Sequence, residues 1–159
     1  MAEANTDAQE QRQFALQRIY TKDISFETPN SPDIFQKEWK PQSSLNLATE
    51  VRPLAEGVWE VVLSVTVTTK LEEQTAYLAE VKQAAIVSAS GLSQAELGPL
   101  LGAYAPNQIF PYAREVVSDL VTKGSFPQMV LTPVNFDAIY AQHQQQLAEK
   151  AKKQGETVQ

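Results

Sequence analysis

Between Val58 and Lys70 apolar and polar side chains alternate almost without a break, with Trp59, Val61, Leu63, Val65 and Val67 on one parity. Successive side chains of an extended strand point to opposite faces, so this run fits a strand with one buried face. Its β-branched residues are stiff at χ1 and suit a pleated surface. The run commits the chain to a sheet, and the other segments must supply its neighbours. Thr75 to Ser88 follows after a four-residue turn around Leu71 to Gln74. Tyr77, Ala79, Val81, Ala85 and Val87 face inward there, with Leu78, Glu80 and Lys82 opposite. Upstream, Leu45, Leu47, Thr49 and Val51 alternate and lead into a turn at Pro53 to Gly57. The first alternation, Phe14 to Glu27, sets Phe14, Leu16, Tyr20, Ile24 and Phe26 on one parity, interrupted by Arg18 and Lys22. Asp23 and Glu27 fall on its solvent parity. Thr28 to Pro41 carries Pro29, Pro32 and Pro41 around Phe35 and Trp39, and reads as a long connection rather than a hairpin. Three closely connected strands and one reached by a crossover describe a four-stranded antiparallel sheet of Greek-key type.

After Gly91 the period changes from two to that of a helix. Ser93 is placed to cap a short helix from Gln94 to Leu101, closed by Gly102. Pro111 suits the first turn of a longer helix ending before Gly124, in which Ala113, Val116, Val117, Leu120 and Val121 form an apolar stripe. Asn135 suits the N-cap of a last helix from Phe136 to about Lys150, with Phe136, Ile139, Tyr140, His143 and Leu147 along one side. Strands first and helices afterwards give an α+β arrangement, with two main helices packed on one sheet face. The chain of 159 residues is expected to form one domain over 14–147. A disordered tail over 1–13 and a flexible tail over 148–159, with Lys150, Lys152 and Lys153, flank it.

The sequence argues against several classes of function. Thirteen Lys and Arg stand against 19 Asp and Glu, a formal charge of −6, whereas nucleic-acid binding needs a basic surface. With no cysteine there is no disulfide, no thiol nucleophile and no Cys-ligated metal. His143 is the only histidine, so any triad would rest on that one helix position. Gly91, Gly98 and Gly102 lack the spacing of a nucleotide-binding loop. An enzyme is disfavoured and no cofactor is expected. The first residues lack the basic start and apolar stretch of a secretory signal, and no run reaches the roughly 18 apolar residues of a membrane span. A cytoplasmic protein without membrane insertion is therefore expected. Two features stand out. If the first and last strands are neighbours, Asp23, Glu27 and Glu80 cluster around Leu78, either as a solvated sheet face or as a surface that steers a basic partner. Phe35, Trp39, Trp59, Tyr77 and Tyr140 are either core residues or the lining of a groove for an extended peptide.

The run Arg-Ile-Tyr-Thr-Lys-Asp-Ile-Ser-Phe-Glu from Arg18 to Glu27 continues into Pro29, Asn30 and Pro32, then Phe35-Gln-Lys with Trp39. Leu101-Gly-Ala-Tyr104 with Pro106 and Asn107, Phe110-Pro-Tyr-Ala-Arg-Glu115 and Pro133-Val-Asn-Phe-Asp137 follow in order. In these motifs the sequence resembles SecB, the bacterial protein-export chaperone family, over roughly Phe14 to Gln146. The resemblance implies a homotetramer built as a dimer of dimers, with the helix from Pro111 to Lys123 between the two dimer sheets. It implies an ATP-independent holdase that binds unfolded precursor proteins and delivers them to SecA, the motor of the export channel. The client groove would use Phe35, Trp39, Leu45 and Leu47, with Trp59, Tyr77 and Tyr140 contributing. The SecA-docking face would be Asp23, Glu27, Leu78 and Glu80, and any zinc would belong to the C-terminal tail of SecA. An alternative is a SecB-like chaperone dedicated to another client, such as an antitoxin. The lysines at 150, 152 and 153 depart from the acidic tail that the resemblance leads one to expect.

Overall fold

A computed structural model describes residues 11–156 of the chain, and the tail expected over 1–13 falls almost wholly outside them. Four strands, β1 (Gln13–Glu27), β2 (Gln42–Ala55), β3 (Val58–Leu71) and β4 (Gln74–Ser90), form an antiparallel sheet in the order β1-β4-β3-β2. The fourth strand returns beside the first, as the Greek-key pattern requires. Central β3 and β4 bury Val61, Leu63, Val65, Val67, Tyr77, Val81, Ala85 and Val87 on their inner face, so the parity read for these two strands holds.

Both edge strands depart from the simple pattern. The expected turn at Pro53 to Gly57 shrinks to Glu56–Gly57, because β2 runs on to Ala55 with Pro53 opposite Trp59. An edge strand pairs on one side only, which leaves room for a residue without an N–H. Gly57 takes φ 69°, and a Cβ there would lie 2.9 Å from the Ala89 carbonyl oxygen; a left-handed residue in so tight a place is best a glycine. β1 carries two register shifts, at Gln17 and Lys22. Each bulge adds one residue and reverses the parity. Leu16 opposite Val87, Ile19 opposite Ala85, and Ile24 and Phe26 opposite Val81 and Ala79 therefore share the inner face. Tyr20, placed inward by strict alternation, lies on the outer face opposite Ala84.

The helical half also differs in detail. Ser93 caps α1 (Gln94–Pro99) as expected, in a capping box with Glu96. Gly102 closes nothing: a π-helical turn, Leu100–Tyr104, carries the chain straight into α2 (Ala105–Lys123). Pro106 occupies the first turn of α2, and Pro111 lies inside the helix. Pro111 removes one backbone donor, but Ile109, Phe110 and Ala113 around it are buried, and that packing holds the helix through it. Buried Val117 and Val121 continue the stripe over the inner face of β4 and β3, while Val116 and Leu120 are only partly covered. Asn135 Oδ1 accepts the Ala138 N–H at 3.0 Å, the cap expected for α3 (Phe136–Glu156). That helix continues past Lys150, and its packing is against the π-helical turn rather than the sheet. Only α2 of the two main helices covers the inner face, since Phe136 is the one buried residue of α3.

Candidate functional site: an aromatic groove and an acidic sheet face

The long crossover between β1 and β2 is tied down locally. Asn30 Nδ2 donates to the Thr75 carbonyl at 2.9 Å, Ser31 Oγ donates to the Thr28 carbonyl at 2.7 Å, and Ile34 is buried within a 3₁₀ turn, Asp33–Gln36. The segment after α2 is tied as well, by Ser118 Oγ donating to the Met129 carbonyl at 2.6 Å. Between these two segments Phe126 forms a hub, with ring centroids 5.2 Å from Phe35, 5.7 Å from Trp39 and 5.0 Å from Tyr77. These tilted contacts lie within the range at which aromatic pairs attract. Phe26 extends the cluster at 6.1 Å from Tyr77, whose hydroxyl donates to Met129 Sδ at 3.5 Å. Tyr77 is 1% exposed at the base of the cluster, and Phe35, 49% exposed, lies at its surface.

The inner face of β2 continues this apolar surface. Leu45 and Leu47 lie opposite Val67 and Val65, and Leu45 is 38% exposed. Of the expected groove residues, the structure gathers Phe35, Trp39 and Tyr77 around one hub and sets Leu45 and Leu47 along the adjoining edge strand. It does not gather the other two. Trp59 lies opposite Val87 and Tyr77 opposite Thr69, so the length of β3 separates them, roughly 33 Å at about 3.3 Å per residue. Trp59 lines a different cleft, with Phe14, Ala89 and Leu97. Tyr140 is spent on the helices: its ring lies where a Cβ on Gly98 or Gly102 would stand. Sequence reading missed Phe126, Phe26 and Met129. Their signal was available only as an aromatic and a methionine in a proline-bearing loop, and as the inward end of β1.

On the outer face β1 and β4 are neighbours, and the four expected residues meet. Glu27 is opposite Leu78, Ser25 opposite Glu80, and Asp23 opposite Lys82. Strict alternation gave the right face for Asp23 and Glu27 because the two bulges of β1 cancel. Lys82 lies within this surface and was not counted in it.

Next to the acidic face sits Glu60, 6% exposed although it is on the outer side of the sheet. The Tyr20 hydroxyl donates to its Oε2, Lys22 Nζ approaches Oε1 at 2.9 Å and Arg52 Nη2 at 3.5 Å. These bonds, with that of Tyr20 first, hold the Glu60 carboxyl below its ordinary value of 4.5 against the opposing effect of burial. Burial, and then Glu60, push the Tyr20 phenol up to about 12. The linkage has a definite sign. Glu60 binds a proton less readily folded than unfolded, so its stabilisation is complete above pH 4.5 and is lost as pH falls through the lowered folded value. Tyr20 contributes below its ordinary value of 10 and loses that contribution as pH rises through about 12. The stability gap between the natural protein and Glu60→Gln should be widest near neutrality and shrink in acid below pH 4.5. Urea titrations of both proteins at pH 7, 5 and 3.5 would measure it; a gap that grows in acid would contradict this assignment.

His143 is exposed on α3. Among the described residues no group of His, Asp and Glu is arranged to hold a metal ion, and no helix is long and apolar enough to cross a membrane.

The sheet and helices superpose on those of a solved SecB-like chaperone. A SecB-like chaperone of Mycobacterium tuberculosis, solved in complex with a peptide from the HigA1 antitoxin, superposes with a TM-score of 0.65 over 76% of this chain and 90% of its own, at 18% identity. Residues 7–147 match the family described as preprotein translocase subunit SecB. The protein-export protein SecB of Methylococcus capsulatus is 56% identical over 151 residues, 95% of this chain and 96% of its own. That of Nitrosococcus oceani is 58% identical over 153 residues, covering 92% and 93% of the two chains. The chain belongs to the SecB family.

Proposed function

We propose that this protein is an ATP-independent export chaperone that holds precursor proteins unfolded in the cytoplasm and passes them to SecA. The observation that carries the reading is the ring cluster around Phe126, open along the half-exposed apolar face of β2. Rigid rings supply contact area at low entropy cost, and an edge strand accepts an extended segment along its length. A folded client hides such segments, so capture selects chains that fold slowly. Several grooves on one assembly let weak contacts add through effective concentration while release stays fast. The assembly we infer is a homotetramer, a dimer of dimers. β1 is a long sheet edge without proline that needs covering, and on α2 Tyr112 is half exposed and Val116 only partly covered. The basic side chains of Lys150, Lys152 and Lys153 do not complement the basic SecA tail, so docking rests on the acidic sheet face.

Two results are expected. Without nucleotide, a stoichiometric amount of protein should arrest refolding of a denatured, slow-folding export precursor, and SecA with channel-bearing membranes should relieve the arrest. Unchanged refolding across several precursors would remove the general holdase reading and leave a dedicated client, such as an antitoxin, in its place. Second, Asp23→Lys with Glu80→Lys should weaken SecA binding about tenfold or more, near 1.4 kcal/mol, while precursor binding stays intact. Equal loss of both activities by an intact tetramer would contradict separate surfaces.

A further inference from the structure

The outer face reads as rows across the sheet. Glu27–Leu78–Thr68, Ser25–Glu80–Thr66 and Asp23–Lys82–Ser64 form its acidic end. Tyr20–Ala84–Val62 and Arg18–Ile86–Glu60–Arg52 form the other. Lys22, the extra residue of the second β1 bulge, marks the boundary. Ala84 is fully buried and Val62 is 7% exposed although both face outward, so side chains lie across them. Tyr20 spans from β1 over this strip to Glu60 on β3, and Lys22 reaches the same carboxylate. The bulge decides which way Asp23 points: without it the strand from Asp23 to Glu27 would turn its carboxylates toward α2.

We infer that Lys22 and Glu60 are positioning residues for partner docking: their ion pair fixes the β1 bulge and so aims Asp23 and Glu27 out of the sheet. The inference rests on the reading of Asp23, Glu27, Leu78 and Glu80 as the SecA-docking face. Lys22 acts on the partner through the bulge that its ion pair with Glu60 holds, not through its own charge facing the partner. The two roles predict opposite signs. A cation beside an acidic face repels a basic partner, so removing it by charge alone would tighten binding. Loss of the brace loosens the aim of Asp23 and weakens binding. Arg52 still accompanies Glu60 when Lys22 is replaced, so the carboxylate is not left buried alone and Lys22→Met should fold.

The experiment uses the full-length tetramer. Lys22→Met should weaken SecA binding about fivefold, the scale of one half-buried ion pair, with precursor capture unchanged, and Lys22→Arg should restore most of it. Combined with Asp23→Asn, Lys22→Met should lose clearly less than the sum of the two single changes, because part of its effect passes through the Asp23 carboxylate. Amide exchange over residues 21–27 of the protein alone should rise in Lys22→Met and in Glu60→Gln. Tighter SecA binding by Lys22→Met, full additivity with Asp23→Asn, or unchanged exchange would each overturn the inference. If Asp23→Asn itself leaves SecA binding intact, the docking reading falls, and the exchange measurement alone then decides whether the brace fixes the bulge.

Discussion

Phe126→Ala is expected to lower the unfolding free energy by about 3 kcal/mol, within the usual range for emptying a buried phenylalanine site. Phe126 is 7% exposed and touches the rings of Phe35, Trp39 and Tyr77. Its removal takes contacts from Tyr77 of β4 and parts two loops, the β1–β2 crossover that carries Phe35 and Trp39 and the segment after α2 that carries Phe126 itself. The cavity cannot collapse easily, because Asn30 and Ser118 tie those loops to the sheet and to α2 through the Thr75 and Met129 carbonyls. The same change should weaken capture of an extended apolar peptide about tenfold, since Phe35 and Trp39 lose the ring that orients them. Phe126→Leu should recover much of the stability and little of the peptide binding, because leucine fills volume without a ring face. Urea unfolding at fixed protein concentration, with Trp39 fluorescence and peptide anisotropy alongside, would measure both. A loss below about 1 kcal/mol, or peptide binding that survives Phe126→Ala, would show that Phe126 is not the hub.

The contrast between the two sites shows what a sequence pattern can carry. β3 and β4 are flanked on both sides by neighbouring strands, so from Val58 to Thr69 and from Tyr77 to Ser88 their faces follow an unbroken period of two and the inner residues are legible one by one. β1 is an edge and tolerates bulges. Its signal was present in the sequence as spacings of three, Leu16 to Ile19 and Thr21 to Ile24, between residues that share the inner face. Reading through those spacings misplaced Tyr20 and hid the link to Glu60, although Asp23 and Glu27 came out on the correct face. The acidic face was legible because it needs only parity and one strand adjacency. The aromatic cluster was half legible: Phe35 and Trp39 stood out as rings in a proline-rich crossover, but only tertiary packing places Phe126 against them. Leu45 and Leu47 came from family resemblance, and register explains them, since they lie opposite the inner residues Val67 and Val65. Trp59 and Tyr140 were grouped with the groove by residue type, and type says nothing about which end of a sheet a ring occupies.

Tyr140 gives the other large effect, and it can change sign. The helical segment containing Gly98 and Gly102 passes so close to α3 that a Cβ on Gly102 would stand 2.6 Å from Tyr140 Cδ2 and Cε2, and one on Gly98 2.8 Å from its hydroxyl oxygen. In a helix interior, replacing glycine by alanine alone stabilises by about 1 kcal/mol through backbone entropy. Here the gain is opposed by a collision with a ring held at both ends of the slot, and forced overpacking costs about 1–3 kcal/mol per site. Gly98→Ala with Gly102→Ala should therefore destabilise the protein by roughly 2–3 kcal/mol and speed amide exchange throughout α3, which has little other seat beyond Phe136. In a Tyr140→Ala background the slot is empty, and the same two replacements should stabilise instead, by up to about 2 kcal/mol. The double-mutant cycle thus reads a coupling rather than a loss. If the alanines destabilise both backgrounds equally, the glycines serve the π-helical turn itself; if they stabilise both, the ring is not seated between them. A reversal of sign would establish that Gly102, which looks in sequence like the end of a helix, holds the last helix in place.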